Sequence, residues 1–221
     1  MVERLVAKTG PAVQLQDKPA SKGERTRSKI MDIAYDAIVQ KGFAATSIDE
    51  LVEAAGITKS GFFYHFKDKN DLARRLFDRF LAEDEGIVDT LEQRARALAD
   101  DPLQSFLIFL NLYAQLMDEM EELHPGCMVA TITYQEQLFD QAMRQMNVDY
   151  LLRMRERFER WLTEITERHE PREAVHAEDL ADMLTANVEG AIILSKALRD
   201  TGLMGRQMRL YREHVKLLFG A

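Results

Sequence analysis

The chain has 221 residues, 46% of them hydrophobic and 30% charged, which is ordinary for a globular protein of one or two domains. No apolar run approaches the roughly 20 residues of a membrane-spanning helix, the N-terminal stretch has no signal-peptide pattern, and the single cysteine, Cys127, excludes an intramolecular disulfide; these features predict a cytoplasmic protein with no membrane contact. The net charge of −8 is unevenly spread: residues 1–75 hold 13 basic and 10 acidic side chains, so a mildly basic end precedes an acidic body.

Residues 1–22 include Gly10, Pro11 and Pro19 and lack sustained periodicity, so they read as a flexible arm carrying Lys18 and Lys22. From Glu24 onward the pattern is helical. A first helix over about 24–41 places Ile30, Ile33, Ala34, Ala37 and Ile38 on one face, with Gly42 just past its end. Ser47 and Glu50 have the spacing of a capping box for a second helix with Ile48, Leu51, Val52 and Ala55 inward. Gly56 breaks that helix, and Thr58 caps a third over about 59–65. Asp68 caps a fourth that carries Leu72, Leu76 and Phe80 inward and runs into the 80s or 90s.

Asp101-Pro102 starts the next helix, and His124-Pro125-Gly126 is a break. Helix resumes near Met128, with a kink expected near Leu138–Asp140, and reaches the 160s; two more helices cover about 177–200 and 204–219. No alternating run or hairpin signal marks a strand. The fold class is therefore all-α, with about nine helices: an arm (1–22), a three-helix domain (23–75) and a helical second domain (76–221).

The glycine turn Ala55-Gly56-Ile57 lets the second and third helices meet steeply, so one lies across a phosphate backbone while the other enters the major groove. Ile57 and Phe62 point inward. Thr58, Lys59, Ser60, Phe63, Tyr64 and His65 remain outside, supplying hydroxyls and amines for phosphates and base edges, and aromatic faces for thymine methyls. Consecutive helical residues point about 100° apart, so the four aromatics in Phe62-Phe63-Tyr64-His65-Phe66 cannot all be core.

The stretch from Thr46 to Lys69, TSIDELVEAAGITKSGFFYHFKDK, together with Gly42-Phe43-Ala44-Ala45 before it, strongly resembles the DNA-binding domain of the TetR (tetracycline repressor) family over about residues 25–75. Val52 departs from the small residue usual at its position. The resemblance implies an all-α homodimer whose first domain reads DNA and whose second binds a ligand. It also implies phosphate contacts from Arg27, Ser47, His65 and Lys69, base or backbone contacts from Thr58, Lys59, Ser60 and Gly61, and packing of Phe63 and Tyr64 on sugar–phosphate or thymine methyls.

Gly-Cys-Met-Val-Ala-Thr-Ile-Thr-Tyr-Gln at 126–135 and Glu189-Gly190-Ala191 are similar to one branch of TetR-like C-terminal domains, some of whose members sense small electrophiles or unsaturated acids. Phe106, Phe109, Leu110, Tyr113, Met117, Cys127, Met128, Thr131, Tyr134, Trp161 and Glu189 are the candidate lining of a mostly apolar effector site. Ordinary core packing is the competing reading for each aromatic. Cys127, near a helix start, is either a reactive thiol or a small buried residue.

The last two helices are the candidate dimer interface, placing two recognition helices about 34 Å apart on a palindromic operator. The expected function is a homodimeric repressor of double-stranded DNA released by a small, partly apolar effector. A cysteine-based electrophile or redox sensor and a ligand-dependent activator are the alternatives. No metal spacing links the five histidines and no phosphate-binding glycine loop is present, so neither an enzyme nor a cofactor is expected.

Overall fold

The computed structural model describes residues 21–120 and 122–221, so the arm up to Ala20, Lys18 included, lies outside the described residues. Among the described residues there are nine α-helices and no strand: α1 (Lys22–Lys41), α2 (Ile48–Ala55), α3 (Lys59–His65), α4 (Lys69–Leu98), α5 (Pro102–Asp118), α6 (Met128–Tyr134), α7 (Gln141–Thr166), α8 (Ala177–Leu198) and α9 (Leu203–Phe219). A 3₁₀ turn at Glu136–Leu138 lies between α6 and α7.

Local chemistry sets most boundaries. α1 begins two residues before the expected start because Ser21 and Glu24 form a complete capping box. The Glu24 amide donates to Ser21 Oγ at 3.2 Å, and the Ser21 amide donates to Glu24 Oε2 at 2.6 Å. Lys22, assigned to the arm from sequence, is thus the first helical residue. α1 ends at Gly42, whose φ of 89° and ψ of 159° lie in a region essentially reserved for glycine.

Asp101 caps α5 through the Gln104 amide at 2.9 Å, with Pro102 in the first turn. The expected kink near 138–140 is a full break: α6 stops at Tyr134, and Asp140 accepts from the Met143 amide to start α7.

The described residues form two compact units. The first joins residues 21–83 to Pro125–Asn147. Its buried residues include Ile30, Ala34, Ile38, Leu51, Phe62, Phe66, Leu72 and Leu76 from the N-terminal helices. Met128, Val129, Ile132, Phe139 and Met143 join them from the later segment. α1 packs against α2 and α6, and α2 against α3. Buried Asn147 donates to Thr133 Oγ1 at 3.0 Å.

The second unit joins Asp84–His124 to Val148–Ala221. α9 packs against α5 and α8. The α5–α9 approach is close: a Cβ at Gly205 would stand 3.0 Å from the Ala114 carbonyl and 2.0 Å from Asp118 Oδ1. Asp118 instead accepts from Arg209 at 2.6 Å. The core is aromatic. Trp161 lies 5.2 Å from Phe106 and 5.4 Å from Phe109, ring centre to ring centre, and its indole N–H donates to the Pro102 carbonyl at 3.2 Å.

His124 ends the first segment of this unit, and burial, aided by the charge of Lys196, pushes its imidazole pKa down from 6.5 to about 4. The unfolded chain therefore holds a proton at His124 across pH 4–6.5 that the fold excludes. The stabilisation is complete above pH 6.5 and is lost as pH falls toward 4. Lowering the pH from 7 to 5 should cost about 2 kcal/mol from this group. Thermal melts of the wild type and His124→Gln over that range should show a smaller decline in the variant. Parallel declines would remove His124 as the cause.

Candidate nucleic-acid interface

The α2–α3 pair is built by short-range rules. Ser47 Oγ accepts from the Glu50 amide at 3.2 Å at the start of α2, and the Glu50 carboxylate also pairs with Lys41. Gly56 closes α2 in the left-handed conformation, φ 66° and ψ 38°, with its N–H on the carbonyls of Glu53 and Val52. The Ile57 amide returns to the Val52 carbonyl at 3.0 Å. Val52, the departure from the motif, is buried without breaking this turn. Thr58 then caps α3, accepting from the Gly61 amide at 3.1 Å, and its hydroxyl lies 2.9 Å from that of Ser60.

Only one aromatic of α3 itself faces the interior. Phe62 is fully buried, 5.5 Å from the ring of Phe66, the residue that closes the helix. Phe63 is 52% exposed and Tyr64 83% exposed. Ser47, Thr58, Lys59 and Ser60 are exposed as well, while Gly61 and His65 are half-buried on the same helix. Lys59 pairs with Asp49 of α2 at 2.6 Å, but both side chains are mostly in water, so the pair stabilises the fold little.

The other two cations expected to reach phosphates are differently engaged. Lys69 donates to the carbonyls of Phe43 and Thr46, both at 2.8 Å, and its ammonium stands 4.1 Å over the Phe43 ring. Partial burial holds its pKa below the usual lysine value. Lys69 thereby ties the α1–α2 turn to the start of α4. The Arg27 guanidinium lies 6.0 Å from the Phe66 ring centre, with its Nε buried. A lysine that sequence reasoning passed over, Lys29, closes α2 by donating to the Ala55 carbonyl at 2.8 Å. A basic residue near a helix C-terminus is the usual signal, but Lys29 lies 26 residues away along the chain.

The residues proposed to line an effector site fall in both units. Phe106, Phe109, Leu110, Met117 and Trp161 are buried in the second, Tyr113 is half-buried with its ring 6.2 Å from Phe109, and Glu189 is half-buried on α8. Cys127, Met128, Thr131 and Tyr134 belong to the first unit. There Met128 is buried, and Thr131 donates its hydroxyl to the Cys127 carbonyl at 2.9 Å. Tyr134 is 73% exposed, and Cys127 sits half-buried at the N-cap position of α6.

Two family models match this chain. Residues 30–76 match the bacterial regulatory proteins of the tetR family, and residues 102–209 match the C-terminal domain of LmrA/YxaF-like transcriptional regulators. The transcriptional regulator AcrR of Shigella flexneri is 36% identical over 61 residues, 28% of each chain. The probable transcriptional regulator YttP of Bacillus subtilis is 28% identical over 129 residues, 58% of each. This chain thus spans from about a quarter to somewhat over half of these two relatives. Among solved structures, a TetR-family regulator from Agrobacterium tumefaciens superposes with a TM-score of 0.73 at 19% identity, over 87% of this chain and 98% of that one. The matched families and relatives are transcriptional regulators, not enzymes.

Proposed function

Because the chain belongs to the TetR family of bacterial transcriptional regulators, we propose that it is a cytoplasmic homodimeric repressor that binds a palindromic operator through α3 and is released by a small, partly apolar effector. One observation carries the DNA-reading part. A short helix held by Phe62 turns Lys59, Ser60, Phe63 and Tyr64 outward beside the N-terminal residues Ser47 and Thr58. These groups can bond phosphates and base edges and pack on thymine methyls. Gly61 supports close approach: a Cβ there would meet only ordinary contacts, 3.4 Å from Thr58 Oγ1, so internal packing does not require glycine. His65 flanks this face; Lys69 ties the turn before α2 to the start of α4, and the Arg27 guanidinium lies 6.0 Å from the Phe66 ring centre.

Dimerisation is supported by the apolar side chains that α8 and α9 leave in water: Met183, Ile193, Leu194, Leu198, Leu210 and Leu217. Isolated exposed leucines need no explanation, but a set on two packed helices favours a self-complementary interface. The effector reading rests on the aromatic interior of the second unit, where the Tyr113 ring lies 6.2 Å from Phe109 of the Phe106–Phe109–Trp161 cluster.

The test is a binding selection of genomic fragments on the purified chain, with sedimentation equilibrium alongside. Enrichment of one palindromic sequence is expected, together with a dimer at micromolar concentration that Leu198→Glu/Leu217→Glu converts to monomer. A monomeric wild type would sink the paired-reader arrangement.

A further inference from the structure

The segment 125–147 follows the break at Pro125, far along the chain from α1–α3, yet shares a compact unit with them. It grips the turn between α1 and α2. The Phe43 amide donates to Gln135 Oε1 at 3.0 Å. The Gln135 amide group comes so close to Gly42 that a Cβ there would stand 2.5 Å from Gln135 Nε2. Phe139 places its ring 4.8 Å from the Phe43 ring. A second tie, 3.4 Å from the Tyr35 hydroxyl to the Gly126 carbonyl, joins the start of the segment to α1.

This grip falls on the turn that leads directly into α2. The turn runs Gly42–Thr46, and Ser47, the cap of α2, follows at once. Within the turn, the Thr46 hydroxyl donates to the Gly42 carbonyl at 3.0 Å and its amide to the Phe43 carbonyl at 3.2 Å. Lys69 holds the Phe43 and Thr46 carbonyls. The turn is therefore clamped between Lys69 of α4 and Gln135 beyond α6. Gln135 is fixed in turn: the Leu138 amide donates to its carbonyl at 2.9 Å, and Arg144 donates to the Phe139 carbonyl at 2.7 Å. Asp140, which caps α7, also pairs with Arg74 of α4.

We propose that Gln135 and Phe139 are positioning residues for DNA reading: through the Gly42–Thr46 turn they set the placement of α2, and with it α3, so that the state of residues 135–139 governs operator affinity. The proposal rests on α3 being the DNA-contacting helix. Phe43 is buried and its bond to Gln135 is half-buried, so removing the acceptor leaves the amide poorly satisfied and relaxes the turn. Sites that recognise a ligand in a fixed geometry lose affinity when their supporting contacts loosen, even where no contact residue has changed.

The test uses the full chain and the palindromic duplex that the wild type enriches from genomic fragments, with an unrelated duplex as control. Gln135→Met keeps the length and removes the oxygen acceptor, whereas Gln135→Glu keeps an acceptor. Loss of one hydrogen bond to a buried amide predicts about tenfold weaker operator binding for Gln135→Met. Gln135→Glu should stay within about twofold, and Phe139→Leu should weaken binding severalfold. Amide exchange at Phe43 should speed up in Gln135→Met and not in Gln135→Glu.

Equal loss in both Gln135 variants, or wild-type affinity in Gln135→Met, overturns the proposal. If Gln135→Met fails to fold, the remaining pair decides: Phe139→Leu must weaken binding while Gln135→Glu does not, and any other pattern overturns it. A wild type that enriches no duplex brings down the DNA-reading premise instead, a result distinguishable because it appears before any variant is made.

Discussion

Replacing Lys59 and Tyr64 together by alanine is expected to weaken operator binding by roughly 10³-fold or more while moving the thermal midpoint by no more than a few degrees. The two halves of this expectation come from different observations. Stability is spared because Tyr64 is 83% exposed and the Lys59–Asp49 pair is solvated on both sides, so neither side chain holds the fold together. Binding is not spared, because a phosphate or base contact is worth about 1–3 kcal/mol and a dimer loses each contact twice. Loss of Lys59 should also reduce the salt dependence, since each lysine neutralising a phosphate releases about one counterion. Fluorescence anisotropy on the selected duplex at several salt concentrations measures both quantities. A double variant that binds with wild-type affinity and an unchanged salt slope would mean that α3 does not face the DNA.

Trp161→Ala should be the most destabilising single change in the second unit, at about 3–5 kcal/mol. The side chain is fully buried, meets Phe106 and Phe109 at 5.2 and 5.4 Å, and lies under the Arg96 guanidinium at 4.2 Å. Truncation also strips the Pro102 carbonyl at the start of α5 of its indole donor. Against a typical total stability of about 5–15 kcal/mol, a loss of this size leaves the unit marginal. Urea unfolding followed by circular dichroism measures it in both proteins, and Trp161, the sole tryptophan, gives a second probe in the wild type. The result also decides between two readings of the aromatic cluster. A large loss means that Phe106, Phe109 and Trp161 are close-packed core, which limits an effector to the border at Tyr113. A loss under about 1 kcal/mol means that the rings wall a space a ligand can fill.

The clamp on the α1–α2 turn bears on how such a regulator could switch. The chain of contacts from Gln135 through Phe43 and Thr46 to Ser47 is short and continuous. An effector changes operator affinity only if it binds the two conformations with different strength. A molecule that prefers a displaced 135–139 turn meets that condition without touching α3.

Much of the reader was legible because its signals are local. Ser47, Gly56, Thr58 and Asp68 each act on amides or carbonyls within about four residues, so the start of α2, the α2–α3 turn and the whole of α3 follow from a short stretch of sequence. Asp101-Pro102 and the break at Pro125-Gly126 are legible for the same reason. The sequence also determined that some aromatics of 62–66 must face water, because helical geometry allows no other outcome; which of them do so required the fold, which buries Phe62 and Phe66 and leaves Phe63 and Tyr64 outside.

Only the tertiary structure decided the roles of long side chains and of partners distant along the chain. Lys69 reads as one more cation near the reader, yet its Nζ reaches back 26 residues to the Phe43 carbonyl, because a flexible four-carbon stem takes whichever acceptors the fold supplies. Gln135 carries no local signal at all, since its partner, Phe43, is 92 residues away. Trp161 was legible as an aromatic on a helical stripe, but its indole donor is satisfied by a carbonyl 59 residues distant, a partner that only the fold supplies. Capping and turn chemistry are written within one helical turn and can be read there; side-chain contacts between helices depend on which surfaces meet, and that is fixed only when the whole core packs.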